Sequence, residues 1–218
     1  PGVFVGAFEP LGGGAWKSKA VDNRSGCALC VEAFLCAAAL AGRLTLTAAF
    51  CVQEEVGSRG ASVLSVETTC GGPPPEAAIV LDTVSVEGPE GVSGALGARL
   101  GGGPVLRRYD HERGIPESLL GSIAPQGMVA FVRGAAKAAG VPLQEDVFVG
   151  TFTDAAELSR SRPGGLPTAN INLPRRYAHS PVEMFVESDL EAMAALVRAL
   201  IGAAAEGKLP PKGRDFLT

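Results

Sequence analysis

Glu54 and Glu55 stand side by side in Val52-Gln53-Glu54-Glu55-Val56-Gly57, just past an apolar run that reads as a strand. Adjacent carboxylates repel, and their proximity pushes one pKa up unless a cation offsets the charge. A bound divalent ion would keep both ionised, leaving one carboxylate to ligate and the other to move protons. Matching donor types occur in three further segments: Asp22 in Val21-Asp22-Asn23-Arg24, Asp82 in Val80-Leu81-Asp82, and His179 in Tyr177-Ala178-His179-Ser180. Each is weak alone. Asp22 could begin a helix, Asp82 could open a turn, and His179 could be a hydrogen-bonded surface or core histidine. The two glutamates could simply end a strand in solvent. Their occurrence together, in order along the chain, points to metal-dependent hydrolysis.

The elements that must position these groups follow from periodicity. Residues 2–8 alternate like a strand, and 11–14 make a Gly-rich turn or linker. Residues 24–40 are dense in Ala, Cys, Leu and Phe, which predicts a helix buried on most sides and stopped at Gly42. Residues 44–52 read as a central strand, 59–67 as a second helix, and 77–82 as a buried strand ending at Asp82. Residues 85–104 are rich in Gly and Pro and predict a long surface loop. A helix is expected over 116–139, broken near Pro125, then a strand at 146–149 and a helix at 153–160 with Thr153 as N-cap. A strand over 168–173 follows. Ser188 is expected to cap a last helix to about residue 205, with Leu190, Met193, Leu196, Val197 and Leu200 on one face. Helices alternating with short apolar strands predict an α/β fold, with helices flanking a mixed, mostly parallel sheet. Open α/β sheets place ligands at strand ends, where the acids are expected to lie.

Composition narrows the function classes. The 218 residues are 46% hydrophobic and 19% charged, enough for one domain with a substantial core. The net charge is −4, and no Lys/Arg stripe is present, which argues against nucleic acid as a partner. No apolar run approaches the ~18 residues of a membrane span, so no membrane partner is expected. Five cysteines without a regular framework suit reduced thiols and a cytoplasmic setting. Cys27-x-x-Cys30 could be half a zinc site or a redox pair. It lies inside a helical apolar pattern with no second pair, so small buried hydrophobes are the simpler reading.

These segments resemble the M42 family of metallo-aminopeptidases, which includes glutamyl aminopeptidases and tetrahedral dodecameric peptidases. The resemblance rests on Lys19-Ala20-Val21-Asp22-Asn23-Arg24, Val52-Gln53-Glu54-Glu55-Val56-Gly57-Ser58-Arg59-Gly60-Ala61 and Ile79-Val80-Leu81-Asp82. It continues in Thr153-Asp154-Ala155 and in Leu166-Pro167-Thr168 through Pro174-Arg175-Arg176-Tyr177-Ala178-His179-Ser180. It implies a zinc-peptidase-like catalytic domain binding two divalent ions, zinc or cobalt. Asp22 would bridge them, Glu55 and His179 would complete one site, Asp82 would belong to the other, and Glu54 would be the general base. Asp154 would read the substrate's free amino group or act as a helix-start acid. Arg175 and Arg176 would orient a substrate carbonyl or acidic side chain; alternatively one pairs with a structural acid and one is solvated. Short peptides are the implied substrates, and homo-oligomers the implied assembly.

The chain departs from the family pattern in one respect. The family carries a further His, in a His-x-Asp segment far upstream of the Asp22 motif, and inserts a small β-barrel-like assembly domain between the two. Here the histidines are His111 and His179, and neither matches that position. Residues 1–16 are expected to be the last strand or two of the inserted domain, and 17–218 the catalytic domain. The start at Pro1, inside a domain, favours truncation over a naturally shortened homologue with one impaired metal site. Two other readings are a metal-binding or assembly subunit without catalysis, and an endoglucanase-type hydrolase. The second needs opposed carboxylates, whereas neighbours on a strand point to opposite faces.

Overall fold

The computed structural model describes the chain except residues 1, 3, 71–74, 87–96, 113–120, 162–163 and 211–218, and the side chains of 66–70. Its elements run β1 (Glu9–Gly12), β2 (Ala15–Ser18), α1 (Val21–Ala38), α2 (Arg59–Cys70), β3 (Ala78–Ser85), β4 (Val105–His111) and β5 (Gly121–Ile123). Then follow α3 (Gln126–Ala139), β6 (Gln144–Val149), α4 (Ala155–Ser159), β7 (Thr168–Arg175), β8 (Glu183–Val186) and α5 (Glu187–Ala205).

The central sheet has the order β3-β7-β4-β5, with β6 also paired to β4. Its two longest pairings, β3–β7 and β4–β6, are parallel, while β7–β4 and β4–β5 are antiparallel. The expected α/β class, with a mixed and mostly parallel sheet, is therefore what forms. β7 is buried along its whole length. Its odd positions, Ala169, Ile171 and Leu173, join the main apolar cluster with Met128 and Val132 of α3 and Met193 and Leu196 of α5. Its even positions, Asn170 and Asn172, face the other side, as a period of two requires. There Asn170 Nδ2 donates to Thr153 Oγ1 at 2.8 Å, just ahead of α4.

Helix boundaries have local causes. Pro125 stands before α3 in an extended conformation, and Gly140 ends it with φ 66°, which a side chain would resist. Within α3 the buried residues Met128, Val129, Phe131, Val132, Ala135 and Ala136 form one stripe. Thr153 Oγ1 accepts the Ala155 N–H at 3.3 Å, but α4 starts at Ala155 with Asp154 at the N-cap position and no side-chain cap, so Thr153 lies one residue ahead of the cap expected of it.

Several expectations are corrected. Residues 44–52 form no strand: Leu44 and Leu46 pack against Ala33 and Ile201, but among the described residues the segment has no ladder partner. The opening strand lies at Glu9–Gly12 rather than at 2–8, and hairpins with β2. α1 buries Val21, Gly26, Leu29 and Ala33 but leaves Val31, Phe34 and Leu35 exposed, so it is not buried on most sides. Of the helix expected over 116–139, residues 116–120 lie outside the described residues, 121–123 form β5, and α3 starts at Gln126. α5 begins at Glu187, with no side-chain cap, so Ser188 lies inside its first turn. β4 and β8 were not anticipated. Of the long loop expected over 85–104, residues 87–96 lie outside the described residues, and Ser85 and Val86 continue β3 and its pairing. β2 pairs antiparallel with β8.

Candidate active site

A cavity of about 300 Å³ opens over the end of β3 and is lined by Asp22, Glu54, Glu55, Asp82, Arg175 and His179, among others. One ligand atom each from Asp22, Glu55 and His179 lies within 4.8 Å of the other two. His179 Nε2 is 3.4 Å from Asp22 Oδ2 and 3.2 Å from Glu55 Oε2. Glu54 and Asp82 share this cavity. Asp154 and Arg176 do not line it. Arg176 lies over the Tyr177 ring instead, at 5.4 Å.

The backbone explains the convergence. Among the described residues, the non-glycine positions in left-handed conformation are Ala20, Gln53, Ser58, Tyr177 and His179. All belong to the three segments that carry Asp22, the Glu pair and His179. Such conformations cost energy and persist where the surroundings hold them, often at functional sites. The glutamates sit on a one-turn 3₁₀ helix, Glu54–Val56, not on a strand. This corrects the inference that neighbouring glutamates must point to opposite faces: both reach the cavity. Asp82 occupies the middle of β3 rather than its end.

Asn23 ties the start of α1 to β3. Its Nδ2 donates to Leu81 O at 2.8 Å and to Asp82 Oδ1 at 3.3 Å, and its Oδ1 accepts the Gly26 N–H at 2.8 Å. The Asp22–Asn23 peptide is cis. Gly26 has no room for a side chain: a Cβ there would fall 2.2 Å from Asn23 Oδ1 and 2.8 Å from Leu81 O.

Arg175 is buried, and two of its three guanidinium nitrogens donate hydrogen bonds. Nη2 donates to Asp22 Oδ2 at 2.5 Å and Nε to Thr83 Oγ1 at 2.7 Å, while Nη1 lies 3.1 Å from Glu183 Oε1. Nη1 is close enough for an ion pair but out of line for a hydrogen bond. Arg175 thus pairs with acids at the edge of the cavity. Glu183 was not singled out from the sequence. It accepts the backbone N–H of both Asp22, at 3.1 Å, and His179, at 3.2 Å.

The electrostatics are those of crowded acids. Burial, and then the charges of Asp154, Glu55 and Asp22, push Glu54 up to about 7. Burial chiefly, then Asp22 and Glu54, holds Asp82 well above the usual carboxylate range, against a lowering hydrogen bond from the Thr83 N–H. Asp154, raised mainly by burial, sits close enough to act on Glu54. Cys51 is pushed up to about 12, first by burial and then by Asp154. Such a thiol is a poor nucleophile. Cys27 is exposed and Cys30 half-buried, so the first of this pair is not the buried hydrophobe expected. His111 stays in β4, with its ring 6.3 Å from that of Tyr109, and does not line the cavity.

The donor set suits a divalent ion. Two carboxylates and an imidazole converge from three segments, and the neighbouring carboxyls of Glu54 and Asp82 are raised first by burial and then by surrounding negative charge, which a cation would offset. Asp22 and Asp82 could share a second ion, but these residues offer it no nitrogen donor.

The M42 glutamyl aminopeptidase family matches residues 1–196. The glutamyl aminopeptidase of Lactococcus lactis subsp. cremoris is 32% identical over 187 residues, covering 84% of this chain and 46% of that protein. An aminopeptidase structure from the archaeon Desulfurococcus kamchatkensis superposes with TM-score 0.77 at 29% identity, covering 97% of this chain and 56% of that one. The Pyrococcus horikoshii TET1 peptidase, described as assembling into a tetrahedron or a large octahedral shell, superposes with TM-score 0.69 at 28% identity. It is covered over 53% of its chain, against 91% of this one. The chain spans about half the length of the curated relatives it matches.

Proposed function

The chain belongs to the M42 glutamyl aminopeptidase family, and from that premise we propose that it acts as a metal-dependent aminopeptidase, removing N-terminal residues from short peptides. The observation that carries this reading is the convergence of Asp22, Glu55 and His179 beside Glu54 in one cavity. Asp22, Glu55 and His179 would hold one divalent ion, zinc or cobalt, and Asp22 with Asp82 would contribute to a second. When bound, such ions polarise the scissile carbonyl and lower the pKa of water.

The protein's own groups do the rest. Glu54 takes the proton from the attacking water and returns it to the departing amine nitrogen. With its carboxyl near 7, Glu54 is about half ionised at neutral pH without a cation, and nearby positive charge favours the ionised, basic form. Asp154, which does not line the cavity, acts on Glu54 through its charge. Arg175 orients the Asp22 carboxylate through its Nη2 hydrogen bond. Because Arg175 is engaged with acids, it is a poor receptor for an acidic substrate side chain.

Residues 1–16 are assigned to the end of an assembly domain, and the whole protein is assigned a homo-oligomeric state, a reading supported by the TET1 neighbour. A cytoplasmic location suits the free cysteines. The test is hydrolysis of a panel of aminoacyl chromogenic substrates by the whole protein, with added Zn²⁺ or Co²⁺ and with chelator. Metal-dependent release of the N-terminal residue is expected. A folded protein that releases nothing with either metal would instead be a metal-binding or assembly homologue.

A further inference from the structure

We propose that Glu183 is a positioning residue that sets metal affinity by holding Asp22 and His179 at a fixed separation. The inference rests on the reading of Asp22, Glu55 and His179 as metal ligands. Glu183 is 1% exposed, at the start of β8. Its Oε2 accepts the N–H of Asp22, 161 residues away in sequence, and its Oε1 accepts the N–H of His179, four residues away. A single carboxylate thus spans the two backbones that carry ligand atoms. Arg175 closes the loop, lying 3.1 Å from Glu183 Oε1 and donating to the Asp22 carboxylate at 2.5 Å. Asp22 is fixed at its backbone by Glu183 and at its side chain by Arg175.

A buried carboxylate is costly unless paired and hydrogen-bonded, and Glu183 is both. A purely structural role would explain the burial. It would not explain why both N–H donors belong to residues whose side chains meet at the same point. His179 also needs the hold. Its backbone is left-handed, at φ 55°, and its side chain is 66% exposed, reaching only toward the Asp22 and Glu55 carboxylates by the ion pairs named above. The molecule contains its own control in Asp189, also 1% exposed. Asp189 accepts the Gly101 and Gly103 N–H groups, at 2.7 and 2.8 Å, in a loop that does not line the cavity.

The experiment uses the whole protein, stripped of metal, and titrates Zn²⁺ by calorimetry into wild type, Glu183→Gln, Glu183→Asp and Asp189→Asn. Gln keeps the length but presents an amide N–H₂ to one of the two backbone donors. Asp keeps the charge for Arg175 but is too short to span both. Loss of a partner that orients a metal ligand typically weakens binding about 10–100-fold. At least tenfold weaker binding in either Glu183 variant is expected, with Asp189→Asn at the wild-type value. Co²⁺ absorption should change in the Glu183 variants alone. Binding within threefold of wild type in both Glu183 variants overturns the proposal. So does an equal loss in Asp189→Asn, which would make the effect one of general stability. Failure of wild type to bind any ion would instead remove the ligand assignment beneath it.

Discussion

On one flank of the cavity, Asp22, Glu55 and His179 arrive on irregular backbone, with the Glu55 and His179 side chains 56% and 66% exposed. On the other, Asp82 sits inside a regular strand, buried and bonded to the Thr83 N–H and to Asn23. On the first flank solvent reaches Glu55 and His179, so their burial costs little, but its geometry has to be imposed by Arg175 and Glu183. The buried flank has its geometry fixed by the strand, but pays desolvation whenever Asp82 ionises. One side is electrostatically easy and conformationally demanding; the other is the reverse. A second ion would therefore bind less readily on the Asp82 flank.

The sharpest test of that division is at the residue between the flanks. Glu54→Gln should lower kcat by roughly 10²–10⁴-fold, the range for loss of a general base, with little change in KM or metal affinity. Steady-state kinetics on the best aminoacyl substrate would show it; a change below tenfold would give the proton transfer to another group. Next in size, His179→Ala should weaken the tightest ion by about 100-fold, the upper end for disturbing a ligand set. Asp82→Asn should spare that ion and affect only a weaker one. Calorimetric titration of both variants separates the flanks, and equal effects on a single binding event would merge them.

The smallest effect is on stability. Glu54 has a folded-state pKa near 7, above the ~4.3 of an unfolded glutamate. The native state thus holds the proton more tightly, so metal-free stability falls as pH rises from about 4.3 through 7, then levels off. Glu54→Gln removes that loss. Its metal-free Tm should exceed wild type by about 2–4 °C at pH 8, equivalent to roughly 1 kcal/mol after solvent screening, with no gain at pH 4. An unchanged difference across that range would show that the carboxyl is not raised.

The chemistry of the cavity was legible because Asp22, Glu54, Glu55, Asp82 and His179 are the residue types that bind metals and move protons, and each lies in a distinctive segment. β3 was legible from its continuous apolar run over 77–82, and α5 from its stripe. β4 was hidden because Arg107, Arg108, Asp110 and His111 read as surface. Their partners lie far along the chain: Arg107 pairs with Asp146 in the interior, 3.2 Å apart, and Arg108 with Glu145. Residues 44–52 misled in the other direction, since an apolar run describes side chains while a strand needs a neighbour to bond. Glu183 gave no signal because its role is set by backbone N–H groups, which every sequence possesses.

Gly26 fixes a dimension of the site. The start of α1 and β3 approach there until only a hydrogen atom fits between them. A methyl group would act as a wedge, driving the Asp22 end of the helix away from the strand that carries Asp82. The spacing between the two aspartates is therefore machined to the smallest tolerance a polypeptide offers, and alanine, the mildest substitution available, would be enough to put the flanks out of gauge.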